Sequence, residues 1–366
     1  MKIAVVGTRG IAQIPGGIEM HCRELYPRVV ALGCDVFVMC RKCYIDEDNI
    51  EYNGVKLVHL YALKNKYFET ILHSLFGIIK ARILNVDILH IHAIGSALLI
   101  PFARFIGIKH VVVTHHGQDY AQKAWGIIAK RILRMGELYC AKLSDEVIVI
   151  SENIYHGLQQ LHHRNEAHLI LNGINAPKKI QTTKFITSLG LKSGKYVLAI
   201  GNFIPENGLD LLIDAFRALM TSDYQLVIAG DVRQTTEYSE KLREQAMDAK
   251  VILTGYVTGS ALAEILTHAR LYVSPSYQAG VSIGLLKAMS YNLEVLVGDT
   301  SSTKTMQLPY SSYFSSGDKG DLSDKLREKL SQPSFSTQYD MSSYNWEYVA
   351  QQTVDIYHKM IMKDAV

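Results

Sequence analysis

Ser274–Val297 reads SPSYQAGVSIGLLKAMSYNLEVLV. It opens inside one apolar run, LYVSPS (Leu271–Ser276), and closes inside another, EVLVG (Glu294–Gly298). Between them lie a glycine-bearing turn and a segment of helical period, Ser282–Ser290. Two short apolar strands joined by a helix form a crossover unit. Such units build parallel sheets with both faces covered.

The same unit recurs on either side. YVLAIG (Tyr196–Gly201), QLVIAG (Gln225–Gly230) and VILTG (Val251–Gly255) read as strands, with helices expected over Leu209–Thr221, Glu237–Asp248 and Gly259–His268. The first half offers KIAVVG (Lys2–Gly7), DVFVMC (Asp35–Cys40), VKLVHL (Val55–Leu60), DILHIH (Asp87–His92), HVVVTH (His110–His115) and EVIVIS (Glu146–Ser151). Helices alternate with them, among them about Ile18–Leu32 (stopped by Gly33), Phe68–Leu84 and Trp125–Leu143. This is the pattern of α/β, doubly wound parallel sheets.

The polar, proline-bearing GINAPKKIQTT (Gly173–Thr183) reads as a linker between domains over residues 1–175 and 184–343. A last helix over residues 344–362 puts Trp346, Val349, Thr353, Ile356 and Met360 on one face and can pack on either domain. In such folds ligands bind beyond the carboxyl ends of the strands, so the two sheets are expected to face a cleft.

A chain of 366 residues is long enough for two domains, and 48% hydrophobic with 20% charged residues is a globular composition. A net charge of +3 gives no argument for nucleic acid as a partner. Apolar runs such as Ala97–Ile108 are interrupted by Pro101, Arg104 and Gly107, so no membrane span is expected. Met1–Val6 leads straight into a strand, so no cleaved leader and a cytoplasmic location are expected. Five cysteines, all in the first half, make no disulfide framework. Cys40 and Cys43 form a CxxC, but it follows a strand and precedes acidic YIDEDN, so plain thiols are expected over a redox or zinc role.

Several loops carry candidate chemistry. Gly16 and Gly17 precede a helix at the end of the first strand, where backbone N–H groups can approach a ligand or where a tight turn needs glycine. His115 and His116 alternate faces, so one is expected to point inward and the other toward the cleft. His90 and His92 share a strand face; without a carboxylate at fixed spacing they read as hydrogen-bonded structural histidines rather than metal ligands. GNFIPENG (Gly201–Gly208) follows a strand and opens a helix, a phosphate-binding position, although Asn202 and Asn207 carry no charge and a capped turn reads equally well. Ala279, Gly280, Val281 and Ser282 lead into a helix whose N–H groups can bind an anion or be capped by Ser282. Lys287 lies one turn further on, either as a cation for that anion or as a solvated lysine. Lys123, Lys130, Arg131, Arg134 and Lys142 interleave with Trp125, Ile127, Ile128, Ile132 and Leu133, either as a basic amphipathic helix for an anionic membrane or as an ordinary solvated face.

In order, GTRGIAQIPGGIEMH, VVTHHGQDY, VISE, NGI, GNFIPENG, VIAGD, VILTGYV and the Ser274–Val297 stretch resemble the motifs of bacterial family-4 retaining glycosyltransferases that make cell-surface polysaccharides. The resemblance covers nearly the full chain. It implies a GT-B fold of two Rossmann-like domains, with the last helix crossing back onto the first. It also implies transfer of a sugar from a nucleotide diphosphate sugar to a lipid-linked or oligosaccharide acceptor, with retention and without a metal or other cofactor. It makes His116 the site histidine, places Gly16, Gly17, Gly201, Gly280, Val281 and Ser282 around the donor, and puts Gly255 and Tyr256 near the nucleotide base.

The chain departs from the family where it holds the donor. Asn202 and Asn207 stand where Arg and Lys are usual, Ala279 and Lys287 where two glutamates are usual, and Asn292 and Glu294 where Gly and Pro are usual. Alanine cannot hold a sugar hydroxyl, and a lysine has no acceptor for a ribose diol. Two readings follow: an enzyme with an impaired donor site, or an inactive transferase-like partner of an active enzyme.

Overall fold

A computed structural model describes residues 1–11, 14, 16–44, 48–63, 69–117, 120, 126–232, 235–277, 281–333 and 336–363. The chain forms two compact units, Met1–Gly173 with Ser342–Val366, and Ile174–Met341.

The first unit holds β1 (Lys2–Val6), β2 (Asp35–Arg41), β3 (Glu51–Tyr52), β4 (Val55–Leu60), β5 (Ile88–His92), β6 (His110–His115), β7 (Glu146–Val149) and β8 (His168–Leu169) in the order β3-β4-β2-β1-β5-β6-β7-β8. All pairs are parallel except β3 with β4. That exception is a two-residue hairpin at Asn53-Gly54, both at positive φ (47° and 84°), a dipeptide that favours this turn. Ile3–Val6 are fully buried because helices cover both faces.

The second unit holds β9 (Tyr196–Ile200), β10 (Gln225–Ala229), β11 (Ile252–Leu253), β12 (Leu271–Ser274), β13 (Val295–Gly298) and β14 (Tyr313–Phe314), ordered β11-β10-β9-β12-β13-β14 and parallel throughout. Each sheet reverses its winding beside its first strand: between β1 and β5, and between β9 and β12. Those reversals are where doubly wound sheets take ligands.

Several boundaries differ from expectation. The Val251–Gly255 strand shrinks to Ile252–Leu253, because Gly255 (φ 70°) turns back to form an antiparallel bridge with Gly230. The Leu209–Thr221 helix ends at Arg217, where Leu219 and Met220 donate to carbonyls three residues back and Met220 turns left-handed. The basic helix runs over Ile127–Leu143; Lys123 and Trp125 lie outside the described residues. Gly33 (φ 89°) does stop the Gly17–Ala31 helix.

The C-terminal helix, Trp346–Lys363, belongs to the first unit. Its anticipated face is buried: Trp346, Val349, Thr353, Ile356 and Met360 are each less than a tenth exposed, and four of them join the core around Ile3, Val36, Leu25 and Val29.

Candidate functional site

In the first unit the chain leaves β1 through Gly7, whose φ is 96° and whose missing Cβ would stand 2.0 Å from the His92 carbonyl oxygen. Glycine therefore lets the ends of β1 and β5 touch at the sheet's reversal. Arg9 then donates to Glu19 from Nε (2.9 Å), Nη2 (3.1 Å) and its own backbone N–H (3.2 Å). Burial alone would raise the Glu19 carboxyl; the Arg9 hydrogen bonds outweigh it and hold the group below its usual range. Glu19 Oε2 lies 1.8 Å from where a Gly16 Cβ would be, so Gly16 makes room for this pair. The loop at Gly16 and Gly17 thus already carries a carboxylate at the helix start where an anionic ligand was expected.

Next to this loop is a buried group of histidines and tyrosines. β5 places His90 and His92 on one face, their rings stacked 4.6 Å apart at 17°. His90 Nε2 is 2.7 Å from Thr114 Oγ1 and its Nδ1 is 2.5 Å from the Tyr357 hydroxyl. His92 Nε2 is 2.5 Å from the Tyr26 hydroxyl, and its Nδ1 is 2.8 Å from His116 Nε2. His21 donates from Nδ1 to Asn172 Oδ1 at 2.8 Å and meets His116 edge-on at 4.9 Å. Burial pushes every imidazole here down: His21 to about 4, His90 to about 3, and His92 and His116 well below the usual value. All four are neutral at physiological pH.

The two neighbours on β6 separate as alternation requires. His115 is fully buried; it accepts the Gly117 N–H at Nδ1 and lies 3.0 Å from Glu137 at Nε2. His116 is half-buried in the cluster. Donor nitrogens of His21, His92 and His116 lie within 4.8 Å of one another, a spacing that a metal ion could use. His92 and His116 satisfy each other directly, however, and the trio has no carboxylate, so hydrogen bonding accounts for the arrangement.

In the second unit the carboxyl ends of β9, β10 and β12 gather most of the remaining candidates. Asn207 Nδ2 donates to the Asn202 carbonyl at 2.8 Å, beside Gly201, an exposed contact that uses one of its two N–H groups. Gly208 (φ 60°) then starts the Leu209–Arg217 helix without a side-chain cap. The Glu206 carbonyl accepts from the Tyr277 N–H (2.9 Å) and the Ser276 hydroxyl (3.2 Å), which ties the β9 loop to the β12 loop. Gly255 bonds back to Gly230, and the Tyr256 hydroxyl donates to the Asp231 carbonyl at 3.1 Å. Ser282 caps Ile283–Ser290 by accepting from the Leu285 N–H at 3.0 Å. Val281 and Lys287 are half-buried, and burial lowers the Lys287 ammonium. Ala279 and Gly280 lie outside the described residues.

Three features had little or no local signal. Arg243 pairs with Asp231 (2.5 Å) and lies over the Phe203 ring (5.6 Å), a cation beside the β9 loop contributed by a later helix. Tyr26 and Tyr357 reach the histidines from two helices far apart in sequence. Glu294 is buried between Arg270 (2.7 Å) and Lys329 (2.8 Å), a triad that accommodates a charge where an apolar turn residue is usual. Asn292 takes the left-handed conformation (φ 59°) that explains why glycine is common there. The CxxC sulfurs are free thiols, and burial pushes Cys40 up to about 12.

Two doubly wound sheets with loops of this kind at their reversals define the GT-B fold. Residues 15–177 match the family model described as Glycosyltransferase Family 4, and residues 181–346 match Glycosyl transferases group 1. The GPI3 subunit of phosphatidylinositol N-acetylglucosaminyltransferase from Saccharomyces cerevisiae is 22% identical over 93% of this chain and 79% of its own. Among solved structures, sucrose-phosphate synthase from Thermosynechococcus elongatus superposes with a TM-score of 0.79 at 18% identity, covering 99% of both chains. HepE of Anabaena in complex with UDP-glucose gives 0.76 at 15%, covering 98% of this chain and 100% of that one. The chain is a family-4-like glycosyltransferase of the GT-B type.

Proposed function

We propose that this protein transfers a sugar, with retention and without a metal, from a nucleotide diphosphate sugar to a lipid-linked or oligosaccharide acceptor in cell-surface polysaccharide synthesis, and that its donor site is weakened. The observation that carries this reading is the β9 loop. It follows β9 and opens a helix, the position of a phosphate loop, yet neither Asn202 nor Asn207 is charged and one Asn207 N–H is bonded to the Asn202 carbonyl. The nucleotide would lie along Gly201, Gly255, Tyr256 and Ser282, with Lys287 and Arg243 as the nearby cations. His116 is the residue of the first unit that meets the substrate. HepE, a fold neighbour, was solved with UDP-glucose, which makes uridine diphosphate sugars the first donors to test.

Titration calorimetry with UDP, GDP and their sugars tests the reading. Two missing charged hydrogen bonds, worth ~1.5–3 kcal/mol each, predict dissociation constants weaker than about 100 μM. Micromolar binding would overturn the weakened site.

A second reading is an inactive partner of an active transferase. It is favoured by the loss of donor-side charge, and the yeast relative is named as a subunit. Binding without turnover across a panel of acceptors would select it. Under either reading we place the protein in the cytoplasm, at the inner face of the plasma membrane. The Ile127–Leu143 helix leaves Ile127 and Ile128 each 75% exposed beside exposed Arg131 and Arg134, a face suited to anionic lipid. Flotation with liposomes that is indifferent to anionic lipid would remove that placement. No helix among the described residues is long and apolar enough to cross a membrane.

A further inference from the structure

The histidine cluster fixes more than the place of His116. A neutral imidazole has one N–H and one bare nitrogen, so each hydrogen bond along the chain constrains the next. Tyr26 lies 2.5 Å from His92 Nε2 and 3.1 Å from His90 Nδ1, and Tyr357 lies 2.5 Å from the same His90 Nδ1. A phenol is a far weaker base than imidazole and a ready donor; Tyr357, the nearer hydroxyl, donates to His90 Nδ1, which leaves the single Tyr26 proton for His92 Nε2. His90 then carries its proton on Nε2 and gives it to Thr114 Oγ1, 2.7 Å away. His92 carries its proton on Nδ1 and gives it to His116 Nε2, 2.8 Å away. His116 must keep its own proton on Nδ1, for which the described residues offer no partner. His21, itself held by Asn172, packs edge-on against the ring at 4.9 Å and limits its rotation.

We propose that His92, set by Tyr26, is the positioning residue of His116: it occupies Nε2 and leaves Nδ1–H as a fixed, neutral donor toward a sugar hydroxyl or phosphate oxygen of the substrate. This deepens the transferase reading and rests on it only for what Nδ1–H meets. The donor's direction is a property of the unliganded protein.

The test is nitrogen NMR of the full-length protein carrying ¹⁵N-histidine, with His116 assigned from the resonance lost in His116→Gln. The expected native spectrum has His116 protonated at Nδ1 and bare at Nε2. In His92→Asn the amide stands where Nδ1 was and still donates to His116, so the tautomer is retained. In His92→Gln the amide stands where Nε2 was, contact with His116 is lost, and the tautomers average. Tyr26→Phe, which keeps the ring and removes the donor, should also release the preference and serves if His92→Gln does not fold. A native His116 protonated at Nε2 or averaging between tautomers would overturn the inference. So would equal behaviour of the Asn and Gln variants, or a Tyr26→Phe protein with an unchanged His116. None of these readouts requires turnover. Failure here leaves the calorimetric test of the donor site untouched, and failure there leaves the tautomer standing.

Discussion

Asn207 Nδ2 and the Asn202 carbonyl oxygen, 2.8 Å apart, close the β9 loop on itself. In a phosphate loop these positions would turn charge outward; here they carry none, and one of the Asn207 N–H groups is already bonded.

Restoring that charge should restore affinity. The combination Asn202→Arg, Asn207→Lys, Ala279→Glu and Lys287→Glu is expected to tighten nucleotide diphosphate sugar binding by at least about 100-fold, from two regained charged hydrogen bonds of ~1.5–3 kcal/mol each. Calorimetry on the folded variant checks it, and an unchanged affinity would mean the ligand binds elsewhere.

Glu294 should be costly to remove. Truncation to Ala leaves Arg270 and Lys329 buried without a carboxylate, and loss of one member of a buried ion group costs about 3–5 kcal/mol. Replacing all three together with apolar residues of similar volume should cost much less. Denaturant midpoints for the second unit's transition distinguish the two cases.

Acid should loosen the first unit before the carboxylates titrate. His21 and His90 have folded values of about 4 and about 3, against roughly 6.5 in the unfolded chain. A depressed value means the native state prefers the neutral ring. The stabilisation is therefore complete above pH ~6.5 and is lost as pH falls toward the folded values. Each such histidine gives up about 1.4 kcal/mol per pH unit in that window. Melting of the first unit should fall between pH 7 and 5, and His90→Asn should flatten the slope. A melting temperature that does not move over this range would contradict the assigned neutrality.

Gly7→Ala should damage the histidine cluster without touching it directly. Its Cβ would meet the His92 carbonyl at 2.0 Å in a left-handed backbone, a cost of about 2–4 kcal/mol or a displaced β5 end. Thermal melts and the His116 nitrogen spectrum report both effects.

The architecture was legible because it is written locally. Val55–Leu60 and His110–His115 fall where apolar period and turn residues put them, and Trp346, Val349, Thr353, Ile356 and Met360 shared the face that is buried. Asn53-Gly54 is a local signal for the antiparallel β3–β4 hairpin. The apolar run Val251–Gly255 is longer than the strand it forms, Ile252–Leu253, because the bridge between Gly230 and Gly255 depends on two loops at once.

Two α/β units, the glycine-bearing loops at their strand ends and the absence of charge at Asn202 and Asn207 follow from the sequence alone, since strand period, glycine placement and residue type are properties of short stretches. Tertiary packing was needed to decide that Glu294 sits between two cations and that Tyr357 reaches His90 across 267 positions of chain. Hydrogen-bond partners so far apart are chosen by packing, and packing is settled only when the whole core assembles.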